Sequence, residues 1–365
     1  MNIKNAIIFC LLCCFNLATA QQTLTKNVVI ITFDGYRWQE LFNGADSALL
    51  FGKKFNTQDS LWRVKKYWGK NEAERRAKLT PFLWNTIAKK GQIFGNRKYK
   101  NFVNVTNKYW FSYPGYNEIF TGFADSLINS NAHPANHNIN ILEFLNQVPQ
   151  FSGKVATFTS WDTFSKILNE ERSGIAINAG FEDVKSNHLS EVQQSLNQLQ
   201  HWLPKDYGRG ERHDAVTYLL AKEHVKLNRP RVLQISFTET DALAHSAKYD
   251  YYLDAAHHND AMIADLWNFM QNDPFYKNQT TFIITEDHGR GIGDNWPHHY
   301  YSVANSDEIF FAVIGPDTAA NGEIKQSGQW FQNQFAQTIA SFLNIPFQIG
   351  KKTGQPIKEV LPQNK

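Results

Sequence analysis

Cysteine is almost absent from this sequence. Its 365 residues contain three cysteines, Cys10, Cys13 and Cys14, and all three lie within the first 20 residues. From residue 21 onwards the sequence therefore excludes disulfides and thiolate chemistry.

Long hydrophobic runs are also missing after residue 20, where no apolar segment is long enough to span a membrane. The first 20 residues instead have the pattern of a secretory signal peptide. Lys4 supplies the positive end, residues 6–15 the apolar core, and Ala18-Thr19-Ala20 a small-residue cleavage site before Gln21. The expected location of the mature chain is therefore periplasmic or secreted.

A lipid anchor is the alternative interpretation of this leader. An acceptor cysteine needs a small residue before it, whereas Cys10 follows Phe9 and Cys13 follows Leu12. The sequence thus favours a cleaved signal peptide over a lipid-modified chain.

Neither sign of charge is in large excess, since 37 Lys and Arg against 34 Asp and Glu give a net charge of +3. No basic stripe is visible, which argues against a nucleic-acid-binding surface. There is also no internal repeat and no low-complexity linker. The expected partner is a small molecule, and the sequence predicts no oligomeric state.

Buried strands alternate with helices along the chain. The apolar run 27–33 reads as a parallel strand that is buried on both faces, and 231–237 and 282–285 have the same character. This alternation predicts an α/β fold with a doubly wound, mostly parallel central sheet flanked by helices. Further strands are predicted at 154–159 and 308–314, and helices at 80–91, 139–145, 187–202, 214–225, 253–270 and 328–343.

The length after the leader suits one large α/β enzyme domain, which we place at residues 21–365. Residues 42–78 are charged and aromatic without a clean period, and they are interpreted as an insertion or lid. The helix at 80–91 has the clearest local signals, with Thr80 as its cap, Pro81 at its first position and Gly91 at its end.

Carboxylate and imidazole side chains, which are the types that bind metal ions, follow three of the predicted strands. Asp34 ends the first strand, Asp241 and His245 follow the strand at 231–237, and Asp287-His288 ends the strand at 282–285. Asp241 and His245 share one face of a helical turn, so both can reach one metal ion. Each group alone could equally be a helix cap, a turn or a solvent-facing pair. His299 lies in the glycine-rich loop that follows.

Ser112 lies among aromatic residues just before Pro114. Because proline can open a helix, Ser112 would lie at a helix N-terminus, which favours a deprotonated or phosphorylated serine. A plain N-cap serine is the alternative. An asparagine-rich loop follows at 129–140; its amides could be turn residues or neutral donors to an oxyanion.

Together these positions offer three carboxylates, three imidazoles and one hydroxyl. Mixed Asp and His ligation suits zinc, in two sites of three or four protein ligands. A two-metal site of this kind can stabilise both the attacking oxygen and the leaving oxygen of an in-line displacement at phosphorus.

The chain resembles the alkaline phosphatase superfamily, and within it the nucleotide pyrophosphatase/phosphodiesterase-like branch. The resemblance covers most of the mature chain. It rests on Val28-Val-Ile-Ile-Thr-Phe-Asp34-Gly35, on Ser112-Tyr113-Pro114 followed by Thr121-Gly122 in place of the family's Thr-Phe-Pro nucleophile segment, on Asp241-x-x-x-His245, on Asp287-His288-Gly289 and on His299.

The resemblance implies two zinc ions. It implies that Asp241, His245 and His299 hold one of them, and that Asp34, Asp287, His288 and the Ser112 oxygen hold the other. Ser112 would then attack phosphorus as an alkoxide and form a phosphoserine intermediate. An asparagine some twenty residues after the nucleophile would donate to a phosphoryl oxygen, for which Asn131 is favoured and Asn129 is the alternative.

Two departures from the family pattern narrow the expected function. The first is that the branch has Asn-His where this chain has Gly115-Tyr116. The second is that family sulfatases need an Arg at the position of Tyr116, so sulfatase activity is disfavoured. No Arg or Lys near Ser112 obviously holds a dianionic phosphate, which favours a phosphodiesterase. The alternatives are a phosphomonoesterase, a phosphonate hydrolase or a phosphoryl-group transferase on the same site, and a metal-binding protein that has lost catalysis.

Overall fold

A computed structural model describes residues 23–362 of the chain; the predicted signal peptide, residues 1–20, lies outside the described residues. The strands are β1 (Asn27–Phe33), β2 (Gln92–Phe94), β3 (Asn101–Asn104), β4 (Val155–Thr159), β5 (Ala176–Ala179), β6 (Val232–Phe237), β7 (Thr280–Glu286), β8 (Glu308–Ile309), β9 (Phe311–Ile314), β10 (Gly322–Glu323) and β11 (Gly328–Phe331).

Helices cover both faces of the main sheet. They are α1 (Trp38–Asn43), α2 (Ser47–Phe51), α3 (Ser60–Tyr67), α4 (Glu72–Leu79), α5 (Ala88–Lys90), α6 (Ser112–Thr121), α7 (Ile141–Gln147), α8 (Phe164–Ile167), α9 (Glu170–Ser173), α10 (Glu191–Trp202), α11 (Asp214–Asn228), α12 (Glu239–His245), α13 (Tyr249–Asn272) and α14 (Phe335–Phe342). Short 3-10 turns lie at Arg97–Tyr99, Gly293–Asn295, Gln332–Gln334 and Lys358–Val360.

The main sheet has eight strands in the order β10-β2-β9-β7-β1-β6-β4-β5. Every neighbouring pair is parallel except the two pairs that β9 forms with β7 and β2. A second, three-stranded sheet has the order β11-β3-β8. The predicted α/β class with a mostly parallel central sheet is confirmed.

Strand β1 lies at the middle of the main sheet, and all seven of its residues are buried. Its side chains alternate between two hydrophobic cores: Val29 and Ile31 enter one, and Val28 and Ile30 enter the other. A strand covered by helices on both faces needs such a continuous apolar run, which is why the sequence identified it.

The helical segment after α4 begins as predicted at Pro81, and it contains a π-helical turn at Leu83–Ile87 before α5. Thr80 does not cap it, because its hydroxyl donates back to the Arg76 carbonyl. The cap comes from Asp260 of α13, whose carboxylate accepts from the backbone N–H groups of Phe82 and Leu83. Because Asp260 is distant in the sequence, the residues around Pro81 do not reveal this cap.

Two other predictions need correction. The predicted helix at 328–343 is wrong over its first part. Residues 328–331 form β11, Gln332–Gln334 form a 3-10 turn, and the α-helix is limited to Phe335–Phe342. The predicted strand at 308–314 is broken at Phe310, whose backbone N–H donates to the Glu286 carboxylate. That break sends β8 to the small sheet and β9 to the main sheet.

Residues 42–78 form most of a helical layer, α1 to α4, beside α13. Asp250 accepts from the backbone N–H groups of Thr57 and Gln58, and Asp254 accepts from Lys66. The layer is therefore tied to α13 by charged hydrogen bonds. Its role as an insertion or lid, and the single-domain boundary at 21–365, stay predictions. Among residues 23–362, no helix has both the length and the apolar character needed to cross a membrane.

Candidate active site

The carboxyl ends of β7, β1 and β6 meet at one edge of the sheet, because these strands are parallel neighbours. Asp34 follows β1, Asp287 and His288 follow β7, and Asp241 lies in the first turn of α12 after β6. Ligands of open α/β sheets lie at this edge. The structure thus brings together the side chains that the sequence predicted.

The first cluster, called here site A, consists of Asp34, Asp287 and His288. His288 Nε2 lies 3.4 Å from Asp34 Oδ1, 3.4 Å from Asp287 Oδ2 and 3.4 Å from Ser112 Oγ. The other ring nitrogen, Nδ1, is 2.9 Å from the Gly289 carbonyl oxygen, which can only accept, so Nδ1 donates. A neutral His288 therefore turns a lone pair towards the two carboxylates.

Site A fits a metal cation because its acceptors lack donors. Asp34 Oδ1 and Asp287 Oδ2 are buried and receive no hydrogen bond that satisfies normal geometry from the described residues. Their partner atoms, Asp34 Oδ2 and Asp287 Oδ1, are satisfied by the Tyr116 hydroxyl and the Gly35 N–H. Each carboxylate is thus held by one oxygen and offers the other to the same point, as a ligand of a divalent ion does.

The electrostatics of site A also favour a cation. Burial and then the Asp241 charge raise the pKa of Asp34, and burial and then Asp34 raise the pKa of Asp287. Burial alone would lower the pKa of His288, but the charges of Asp287, Asp34 and Asp241 raise it to about 9. The cluster therefore attracts positive charge, which a divalent cation supplies more fully than a proton.

The second cluster, called here site B, consists of Asp241, His245 and His299. His245 Nε2 lies 2.9 Å from His299 Nε2 and 3.3 Å from Asp241 Oδ2. His299 Nδ1 is 3.1 Å from the Trp110 carbonyl oxygen, so Nδ1 donates and Nε2 is left as a ligand atom. Two imidazoles and a carboxylate are donors that zinc accepts.

The two sites are less separate than the resemblance implies. The rings of His288 and His299 stack with centroids 4.0 Å apart, and Asp241, His288 and His299 also form a group whose ligand atoms could reach one ion. His288 therefore lies between site A and site B, although Asp34 and Asp287 belong to site A alone.

Ser112 is the first residue of α6, so it lies at the positive end of the helix dipole, which favours an anion. It is not a plain N-cap serine: the N-cap position is Phe111, and no side-chain cap hydrogen bond is made there. Gly115 lets this helix approach site A closely, because a Cβ at Gly115 would lie 2.3 Å from the Asp287 carbonyl oxygen.

Asn131, the favoured oxyanion donor of the sequence analysis, lines the same small cavity as Ser112. Its Oδ1 accepts from the Tyr113 backbone N–H at 3.0 Å, which fixes the orientation of its amide. The Nδ2 group is the donor that remains. Asn129, the alternative, is exposed and does not line that cavity.

Three further residues of the site were not assigned a role by the sequence. Tyr116, noted only as a departure from the family pattern, donates to Asp34. Arg290, completely buried, pairs with Asp241 and also donates to the Trp296 and Pro297 carbonyls. Burial alone would raise the pKa of Asp241, but Arg290 and His245 hold it well below its usual range. Glu211, from the loop before α11, lines the cavity at Ser112.

Tyr116→Phe should weaken metal binding at site A by roughly 10- to 100-fold, the usual effect of losing a partner of a metal ligand. The Tyr116 hydroxyl donates to Asp34 Oδ2 at 3.0 Å and contacts Ser236 Oγ at 3.1 Å. Burial raises the pKa of Tyr116, so the phenol keeps its proton for this bond. Competition with a chromogenic chelator measures the loss. Tyr113→Phe, on the same helix, is the control and should retain the wild-type affinity.

Comparison with known proteins shows similarity in structure only. No protein-family model and no curated protein sequence matches the chain. The solved alkaline phosphatase PafA superposes with a TM-score of 0.58 at 12% identity, over 94% of this chain and 99% of that one. The lipoteichoic acid synthase LtaP from Listeria monocytogenes superposes with a TM-score of 0.55 at 14% identity, over 88% and 72%. A 2-O GAG sulfatase gives 0.54 at 12% identity, over 91% and 73%.

Proposed function

We propose that this chain, which has the fold of the alkaline phosphatase superfamily, is a zinc-dependent hydrolase of phosphoesters, with phosphodiesters favoured. The observation that supports this is the position of Ser112: a hydroxyl at a helix N-terminus, 3.4 Å from the ligand nitrogen of His288. Membership of the nucleotide pyrophosphatase/phosphodiesterase-like branch stays a prediction.

Asp34, Asp287, His288 and the Ser112 oxygen would hold one zinc ion, and Asp241, His245 and His299 the other. Carboxylate and imidazole donors without sulfur suit zinc. When bound, zinc lowers the pKa of a hydroxyl that it contacts and offsets charge on phosphoryl oxygens.

His288 is not the middle of a Ser-His-Asp relay. In such a relay the carboxylate holds the imidazole nitrogen that faces away from the serine. Here that nitrogen, Nδ1, donates to the Gly289 carbonyl, while the Asp34 and Asp287 carboxylates lie at Nε2, on the side of Ser112. This arrangement supports metal ligation rather than proton relay.

The chain's own residues supply the rest of the reaction. Ser112 loses its hydroxyl proton, attacks phosphorus in line and displaces one ester oxygen, which takes up a proton and leaves as the alcohol. Water then attacks the phosphorus of this covalent intermediate and displaces the Ser112 oxygen, which regains a proton as the phosphomonoester is released. The N-terminus of α6 favours the negative charge that gathers beside it. Asn131 Nδ2 donates to a phosphoryl oxygen, held in place by the bond from Tyr113 N–H to its Oδ1.

The diester preference follows from the residues around Ser112. The cavity there is lined by Asp34, Ser112, Asn131, Trp161, Glu211, Thr238 and Asp241, and so by no Lys or Arg of the described chain. Arg290 is near but is committed to Asp241 and two carbonyls. A dianionic monoester has no side-chain cation here for its second charge.

Turnover of a chromogenic phosphodiester and of the monoester with the same leaving group tests the proposal. The diester should have a kcat/KM at least about tenfold higher, a difference of roughly 1.4 kcal/mol in transition-state stabilisation. A chelator should remove both activities and zinc should restore them. Turnover of neither substrate by zinc-loaded protein would instead indicate a metal-binding protein without catalysis.

A further inference from the structure

A series of aromatic rings leads away from the two candidate metal sites. The His288 ring stacks on the His299 ring at 4.0 Å, and the Tyr300 ring stacks on His299 with centroids 4.7 Å apart and planes 17° apart. Phe111 packs against Tyr300 at 5.3 Å, and Tyr109 packs against Phe111 at 5.9 Å. The rings therefore form an unbroken series of contacts that begins at site A and passes site B.

Tyr300 is the exposed member of this series beside site B. Phe111 and His299 are 6% and 2% exposed, whereas Tyr300 is 46% exposed. The stack on His299 and the contact with Phe111 therefore leave part of the Tyr300 side chain uncovered. An uncovered aromatic ring next to a candidate metal ligand can contact a group that is bound at that metal site.

The backbone at Tyr300 is strained. Its φ angle is +122°, in the range that residues with a side chain rarely adopt. The Val303 backbone N–H donates to the Tyr300 carbonyl at 2.8 Å, which closes a turn at this residue. Trp110, whose carbonyl oxygen lies 3.1 Å from His299 Nδ1, also has a positive φ, +55°. Strained residues of this kind are concentrated at active sites and ligand-binding segments, so two of them beside His299 point to a role beyond packing.

The position of Ser112 decides which part of a substrate reaches Tyr300. Ser112 Oγ lies at site A, 3.4 Å from His288 Nε2. In an in-line displacement the leaving oxygen departs on the side opposite the attacking oxygen, and in a two-metal site each of these oxygens lies at one metal position. With the attacking oxygen at site A, the leaving oxygen lies at site B. The group attached to it then extends past His299, where Tyr300 is the exposed ring.

We propose that Tyr300 forms a subsite for an aromatic leaving group, so that the substrates are phosphodiesters of an aromatic alcohol. The inference rests on the proposed function. Stacking of a planar ring on a tyrosine is favourable and geometrically specific, whereas a flexible alkyl group gains less from the same surface. Phe111 packs against Tyr300 with the ring planes 53° apart and restrains the tyrosine ring, so the subsite exists before the substrate binds.

Tyr300→Ala tests this on two diesters that differ only in a leaving alcohol of similar acidity, methyl phenyl phosphate and methyl hexafluoroisopropyl phosphate. Both release methyl phosphate, which is the product to measure. The ratio of kcat/KM for the phenyl ester to that for the fluoroalkyl ester should fall by roughly tenfold in the variant, because only the phenyl group stacks. Differences in chemical reactivity cancel, since each ester is compared between two proteins. Tyr300→Phe keeps the ring and should retain the wild-type ratio.

Tyr301→Ala is the matched control, because it removes the same type of side chain from the next residue, which is 70% exposed. It should leave the ratio of the two esters unchanged. A fall as large as that of Tyr300→Ala would overturn the proposal, since the effect would then belong to the loop as a whole.

The zinc content of Tyr300→Ala, measured by elemental analysis, gives a readout that needs no turnover, and it should stay at the wild-type value. Equal effects of Tyr300→Ala on both esters would overturn the proposal, and an accompanying loss of zinc would show that Tyr300 serves only to hold His299 in place. A wild-type protein that hydrolyses neither ester would refute the proposed function instead, a separate outcome.

Discussion

Ser112→Ala should lower turnover of a phosphodiester by roughly 10⁴-fold or more, the scale seen when a catalytic nucleophile is deleted. The substitution removes one hydroxyl, whose one hydrogen-bond contact within residues 23–362 is with His288 Nε2. The fold should be unchanged, because this hydroxyl makes no capping bond to α6. Steady-state kinetics and the melting temperature, measured on the same zinc-loaded preparation, separate loss of chemistry from loss of folding.

Two conservative substitutions at Ser112 test whether a hydroxyl group is required at this position. Ser112→Thr should retain substantial activity, because threonine carries the same hydroxyl and is the residue in the resembling family. Ser112→Cys should be poorer, since a thiolate binds zinc strongly and attacks phosphorus weakly.

The stereochemistry at phosphorus tests the covalent step itself. Two successive in-line displacements each invert the centre, so a chiral phosphorothioate diester should react with overall retention. A single inversion would mean that water attacks directly, and Ser112 would then be a ligand or a binding group rather than the nucleophile.

Elemental analysis of protein purified without chelator should find about two zinc ions per chain, the number that the two ligand sets can hold. Asp34→Ala should empty mainly site A and Asp241→Ala mainly site B, because each carboxylate belongs to one site. His288→Ala should reduce the occupancy of both sites, since its ring lies between them. Chelation should abolish activity as completely as Ser112→Ala.

Asp294→Asn is the control for these ligand variants. Asp294 lies on the loop after β7, and its exposed carboxylate pairs with Lys54 at the surface. Its loss should therefore leave both ions bound. If Asp34→Ala and Asp241→Ala lost the same ion, or if magnesium alone filled the protein, the division into two zinc sites would be wrong.

The candidate ligands at the strand ends could be predicted because the strands before them are easily recognised in the sequence. A continuous apolar run predicts that β1 and β7 are buried strands. Because parallel strands have their carboxyl ends on the same side of the sheet, the polar residues that follow these two runs lie near each other. The pairing of His245 with His299, by contrast, was supplied by the resemblance. The interatomic distances now place those two side chains together.

The rest of the site could not be read from the sequence because it depends on tertiary contacts. Glu211 comes from an irregular loop without periodicity, and only its bridge to Trp161 brings it to Ser112. Likewise, the sequence predicts a helix over the residues of β11, although this strand pairs with β3 and alternates exposed Gln329 with buried Trp330. A strand of four residues is too short for its period to show.

The position of β1 also has a consequence for how the chain folds. It is the first strand of the sequence, yet both of its partners, β6 and β7, come from the last 140 or so residues of the chain. During synthesis, Val28 to Phe33 therefore emerge as an apolar, β-branched segment long before either neighbour exists. Such unpaired segments invite aggregation. We expect folding to be slow, and the candidate metal ligands on α6, α12 and the loop after β7 to assemble only after this strand is enclosed.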